Sequence, residues 1–301
     1  MPSKKIIQIV PFRRTSPDGV GEYAVMLANA LYKHDKTKTV FLSAAPMDED
    51  GPCNDNWQTH YLSQHKASFL HAALETTYTK DTSIILHMSA YGYQKRGVPA
   101  WLIAGLKRFL KSHPSAKIIS IFHELYAQSK PTKTTFWVGQ LQKRIARQAL
   151  GLSCVALTPC QSYKDELAFW AAGRIPIIAL PVFSNVGEPN TIPSCKKNHL
   201  VIFGGGNSRK NLYSKYKIEL TDITQQLGIN EIIDIGSPNP NIPQKIGACS
   251  IRSTGIISAQ KVSLELSASK YAALDYDAAR LGKSTIYAAY AAHALEIICF
   301  D

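Results

Sequence analysis

Six short runs in the first 180 residues are apolar almost throughout: IIQIV (6–10), KTVFLS (38–43), SIILHM (83–88), KIISIF (117–122), SCVAL (153–157) and IPIIAL (175–180). A strand with one wet face alternates apolar and polar residues, whereas a run without alternation is covered on both faces. Segments with apolar residues at helical spacing separate these runs. This alternation predicts a parallel sheet with helices on both sides, a doubly wound α/β domain, and excludes all-helical and all-β architectures.

The pattern lapses over SNVGEPNTIPSCKKN (184–198), rich in Pro, Gly, Ser and Asn, and then restarts. HLVIFGGGNSRKN (199–211) reads as a strand and a glycine-rich turn. Leu212, Tyr216, Leu220, Ile223 and Leu227 then predict one helix, closed by Gly228. EIIDIG (231–236), KYAALD (270–275) and EIICFD (296–301) supply further strands. The expected organisation is a first domain over 1–187, a linker over 188–198 and a second domain over 199–301, both Rossmann-like and facing a cleft. The second domain ends on a strand, so it is expected to be incomplete, to bare apolar surface beside Ile297, Ile298 and Phe300, and to self-associate there.

Both halves open with strand, glycines and helix. In SPDGVGEYAVMLANAL (16–31), Gly19 and Gly21 precede a helix marked by Ala24, Leu27, Ala28 and Leu31. Such a corner lets backbone N–H groups approach an anion, and it equally suits a plain turn needing positive φ.

Charge favours an anionic partner. The net charge is +12, of which residues 1–190 carry +9 (22 basic minus 13 acidic) and residues 191–301 carry +3 (12 minus 9). Six cysteines are scattered with no C-x-x-C pair, which indicates neither zinc nor a disulfide framework. No apolar run approaches the roughly 18 residues of a membrane span, and the N-terminus lacks a signal peptide's apolar core. The expected location is the cytoplasm.

The stretches DGVGEYAVMLANAL, HMSAYGYQKRGVPAWL (87–102), IFHELYA (121–127), LPVFSNVGEP (180–189) and LDYDAARLGKSTIYAAYAAH (274–293) make the chain resemble the GT-B glycosyltransferases of family 4, also called group 1. The resemblance implies a nucleotide-diphosphate sugar as donor, a glycan or lipid-linked acceptor, no metal or other cofactor, and retention of configuration. It implies catalytic roles for His123 and Glu124 and donor-phosphate contacts from Gly19, Gly21, Arg209, Lys210, Gly282, Lys283 and Ser284. Lys210 and Lys283 are expected near one another. The chain departs from the family pattern in having no Glu between Glu265 and Glu296, where members carry two, and in stopping before the family's last helices. A catalytically weak or inactive binding partner with this fold is the alternative.

Other chemistries fit less well. The triplets DED (48–50) and DYD (275–277) match a metal-dependent transferase only by a common pattern. No nucleic-acid-binding motif accompanies the basic charge, so no nucleic-acid partner is expected. The segment FWVGQLQKRIARQAL (136–150) predicts a helix with Trp137, Leu141 and Ile145 on one face and Lys143, Arg144 and Arg147 elsewhere. A core-packed helix with a wet basic face fits this, as does contact with an anionic membrane. His293, in an alanine-rich helix, reads as a packed core histidine.

Overall fold

The computed structural model describes residues 5–11, 19–45, 56–127 and 134–301. They form two compact units, Met1–Leu180 and Pro181–Asp301. The segment from Pro181 onward belongs to the second unit, where Val182 N donates to Gly282 O (2.9 Å) and Val186 packs into the core.

The first unit runs β1 (Lys5–Val10), α1 (Gly19–Asp35), β2 (Lys38–Ser43), β3 (Trp57–Tyr61), α2 (Ala67–Thr77), β4 (Ser83–Met88), the single turn α3 (Ala90–Tyr93), α4 (Ala100–Ser112), β5 (Lys117–Phe122), α5 (Thr134–Gly151), β6 (Val155–Thr158), α6 (Gln161–Ala171) and β7 (Ile177–Ala179). All seven strands are parallel, in the order β3-β2-β1-β4-β5-β6-β7. The unalternating runs are dressed on both faces as expected: Val10, Phe41 and Trp57 pack with Ala24 and Ala28 of α1. Ile7, Ile9, Leu42, Ile84 and Leu86 pack on the other face with Leu70, Leu106 and Ala146 of α2, α4 and α5.

The second unit runs β8 (Lys197–Phe203), α7 (Gly206–Ser214), α8 (Lys217–Gln226), β9 (Glu231–Ile235), β10 (Lys245–Ile246), β11 (Cys249–Gly255), α9 (Ala259–Ala268), β12 (Ser269–Asp275), a 3-10 turn (Ala278–Lys283), α10 (Thr285–Ala292) and β13 (Glu296–Phe300). Its order is β10-β11-β9-β8-β12-β13, with β10 alone antiparallel. The single helix expected from Leu212 to Leu227 is two, broken at Lys215 and Tyr216, whose ring turns onto Phe300 (5.0 Å). At the sheet edge β13 is partly covered: Phe300 is buried and Ile297, Ile298 and Cys299 are half-buried.

The helix at 136–150 forms, but with its inner face elsewhere. Ile145 is buried, whereas Trp137 and Leu141 are 67% and 51% exposed. The inner face is Gln142, Ile145, Ala146, Ala149 and Leu150. Gln142 holds a core position because its amide is used at both ends, accepting from Ala127 N (2.8 Å) and donating to Arg96 O (3.0 Å). That buried polar residue turns the helix away from the face its apolar spacing suggests.

Candidate functional site

In an open parallel sheet, ligands enter beyond the carboxyl ends of the strands where the strand order reverses. In the first unit that point lies between β1 and β4. There the otherwise apolar strands carry polar side chains: Gln8 on β1, His87 on β4, and His123 just after β5. All three are buried and form a line, with Gln8 Oε1 2.7 Å from His87 Nε2 and His87 Nδ1 3.0 Å from His123 Nε2.

The hydrogens of this line follow from its far end. With the Gln8 amide oxygen turned toward it, His87 carries its proton on Nε2. Burial, and then the neighbouring His123, hold the pKa of His87 well below its ordinary 6.5, so the ring is neutral and accepts at Nδ1. His123 is then the donor to it through Nε2. The two imidazoles stack at 5.3 Å, and Tyr23 of α1 sets its ring edge-on to both (5.9 and 5.1 Å). Burial raises the Tyr23 phenol to about 12, so it stays protonated. Tyr93 spans the parting strands, its hydroxyl 2.9 Å from Ile9 O and 3.0 Å from His87 O.

Glu124 is exposed beside His123. Gly19 and Gly21 are the first and third residues of α1, and neither has positive φ. The expected turn glycines are thus helical, and the rest of that corner, 12–18, lies outside the described residues, as do Asp48 to Asp50.

In the second unit the order reverses between β8 and β12. The glycine turn after β8 lies tight against its neighbours: Gly204 has φ +139°, and a Cβ there would come within 2.6 Å of Ile286 Cδ1 on α10. Beside α7, Asn211 donates to Asp275 at the end of β12 (2.8 Å). The starts of α7 and α10 therefore share one edge of the sheet. Lys210, exposed on α7, and Lys283, half-buried at the end of the 3-10 turn, follow the adjacent strands onto that edge. Helix N-termini and cations together favour an anion. Ser284 caps α10, its Oγ accepting from Tyr287 N (3.1 Å), and Gly282 O accepts from Val182 N.

Arg209, expected among the phosphate contacts, is engaged elsewhere. It is 1% exposed, ion-paired with Asp234, and donates to Gly204 O (2.9 Å) and Ser237 O. Tyr213 completes the cluster by donating to Asp234 (3.1 Å). Burial, the largest influence, raises the Asp234 carboxyl even though Arg209 and Tyr213 pull it down. The arginine ties the turns after β8 and β9 together. Of the DYD triplet, Asp275 holds Asn211, while Asp277 caps Ala279 N (2.9 Å) and pairs with Arg280 (3.2 Å). His293 is fully buried between Ala289 O and Ser263 Oγ, both 2.7 Å away, a packed core histidine.

Gln8, His87, Tyr23 and Tyr93 were not expected as site residues. For Gln8 and His87 the signal in the sequence is a polar letter inside an apolar run, as in IIQIV and SIILHM.

No protein-family model and no curated protein matches the chain by sequence. Solved structures do match in fold. A UDP-forming α,α-trehalose-phosphate synthase from Burkholderia vietnamiensis superposes with a TM-score of 0.58 at 10% identity, over 99% of this chain and 84% of that one. The corresponding synthase from Burkholderia multivorans gives 0.57 at 9% identity, over 99% and 84%. An α-glucosyltransferase in complex with UDP-glucose and DNA containing an abasic site gives 0.56 at 11% identity, over 99% and 79%. The chain thus has two Rossmann-like domains of the GT-B type.

Proposed function

We propose that the protein moves a sugar from a nucleotide-diphosphate donor to a glycan or lipid-linked acceptor in the cytoplasm, without a metal ion and with retention. The observation that carries this reading is the second unit's switch point, where Lys210, Lys283 and the starts of α7 and α10 share one edge. In this reading they hold the donor diphosphate together with Gly282 and the Ser284 hydroxyl. As the sugar leaves through an oxocarbenium-like transition state, negative charge grows on the diphosphate. Fixed cations and helix N-termini interact more strongly with that charge than with the ground state, which lowers the barrier.

The first unit contributes hydroxyl recognition. His123 meets a sugar or acceptor hydroxyl, its ring fixed by His87 and Gln8, while Glu124 and the start of α1 at Gly19 and Gly21 lie at the same sheet edge. Self-association through β13, the edge strand of the second sheet, belongs to the same proposal.

Similar structures named as UDP-forming or bound to UDP-glucose put uridine donors first for testing. The experiment is a thermal-shift panel of UDP, GDP, ADP and their sugars, because a ligand that binds the native state raises the midpoint by mass action. A shift for one nucleotide, lost in Lys210→Ala and Lys283→Ala, is expected. A panel that moves no midpoint overturns the reading. Transfer assays then compare glycan and lipid-linked acceptors with duplex DNA, included because one similar structure is a DNA complex and this chain carries +12.

A further inference from the structure

The side of α4 and α5 that faces away from the sheet has a character the transfer reading does not use. Together these helices carry six cations, Lys107, Arg108 and Lys111 on α4 and Lys143, Arg144 and Arg147 on α5, and not one acidic residue. They pack side by side, with Lys107 Nζ donating to Gln148 Oε1 at 3.3 Å. On α5 the exposed side includes Trp137, Leu141 and Arg144, spaced so that an indole and a leucine project beside a guanidinium. On the adjoining α6, Phe169 is 82% exposed.

Acids on the helices packed against α4 and α5 are already engaged, and Glu75 of α2 lies 3.0 Å from His113, just beyond α4. Glu166 pairs with Lys143 (3.2 Å), and Asp165 accepts from Gln161 (2.7 Å). Lys143 also lies over the rings of Tyr126 and Trp170, and Arg147 over Trp170. Arg144 and the three cations of α4 remain exposed.

We propose that this α4/α5 face docks on an anionic lipid bilayer, with the cations among the headgroups and Trp137 and Leu141 entering the boundary with the acyl chains. An exposed basic helix whose ridge carries Trp and Leu is what an interfacial helix presents to such a surface. A phosphodiester backbone would satisfy the cations equally and could stack on Trp137. It offers nothing to Leu141, which is why the bilayer is the occupant the face fits. Among the described residues no helix is long and apolar enough to cross a membrane, so the contact is peripheral. The proposal stands on this surface alone and goes beyond the transfer reading.

The test is co-sedimentation of the whole protein with vesicles of phosphatidylcholine, with and without phosphatidylserine, across a salt series. Binding is expected only with the anionic lipid and is expected to weaken as salt rises. Arg144→Gln lowers the partition coefficient about fivefold, the effect of removing one surface cation. The pair W137S and L141S lowers it about tenfold or more at unchanged salt dependence. Both side chains are more than half exposed, so the melting temperature should hold, and that is measured alongside. Equal binding to neutral and anionic vesicles, no binding to either, or an unaltered W137S/L141S variant overturns the proposal. So does duplex DNA binding that R144Q weakens, W137S/L141S leaves intact and vesicles fail to compete away, which would assign the face to a nucleic acid.

Discussion

His87 is fully buried and its ionisation is strongly disfavoured by that burial. Its depressed pKa means that the folded ring stays neutral when the unfolded ring, near its ordinary 6.5, takes up a proton. The unfolded state therefore binds more protons as pH falls below about 6.5, and stability is lost there, by up to about 1.4 kcal/mol per pH unit for each such histidine. His293, also depressed by burial, acts in the same direction. Thermal melts from pH 8 to pH 5 should show this loss, with a shallower slope in His87→Gln and in His293→Gln. A wild-type slope in His87→Gln would mean that the ring is charged in the fold and that the hydrogens of the Gln8–His87–His123 line are misassigned. For the lysines, replacing Lys210 or Lys283 by Gln removes one charge-assisted contact to the proposed diphosphate, so nucleotide affinity should fall about tenfold each. Titration calorimetry with UDP or its sugars checks this, and unchanged affinity in both variants removes them from the site. Reading the sequence nominates His123 and the two lysines because they follow strand ends. It does not find that Gln8 meets His87, 79 positions away, because strand order, not spacing, brings them together.

The secondary elements were legible where burial is even and obscure where it is not. Strands such as β1 and β4, dressed on both faces, announce themselves as apolar runs. The edge strand β3 (WQTHY) and the near-edge β11 (CSIRSTG) are half wet and stand outside the apolar runs that mark the other strands. The break between α7 and α8 has no propensity signal. It arises from tertiary packing, as Tyr216 turns onto Phe300. Arg209 is the instructive failure, because a basic residue beside a glycine turn resembles a phosphate ligand until the acid waiting for it on β9 is known. Removing one partner of a buried pair leaves the other charge uncompensated, so Arg209→Met should destabilise the second unit by about 3–5 kcal/mol. The double variant R209M/D234N should be less destabilised than R209M alone, since no bare charge remains. Denaturant melts of the single and double variants check this, and an R209M protein as stable as the wild type would show that the pair does not anchor α7.

At the scale of the whole chain, each of the two units has a sheet and a core of its own, and the chain passes from one to the other between Leu180 and Pro181. The restart of the pattern after residue 198 foretold a second domain. It placed the join later than the structure does, because it left residues 181–187 in the first domain, whereas they pack in the second unit through Val182 and Val186. A unit with its own core is able to fold alone. The fragment 181–301 should therefore unfold in a single cooperative transition. If the groups at the β8 and β12 ends hold the donor diphosphate, the fragment should also keep the nucleotide-induced thermal shift of the full chain, because Lys210, Lys283 and both helix starts belong to it. The complementary fragment 1–180 should show no such shift while keeping any affinity for anionic vesicles, since α4 and α5 lie within it. Thermal melts with UDP and vesicle sedimentation on the two fragments separate these functions. A nucleotide shift that disappears from a well-folded 181–301 fragment would mean that the first unit contributes indispensable contacts, and the assignment of the diphosphate to the second unit's switch point would have to be abandoned.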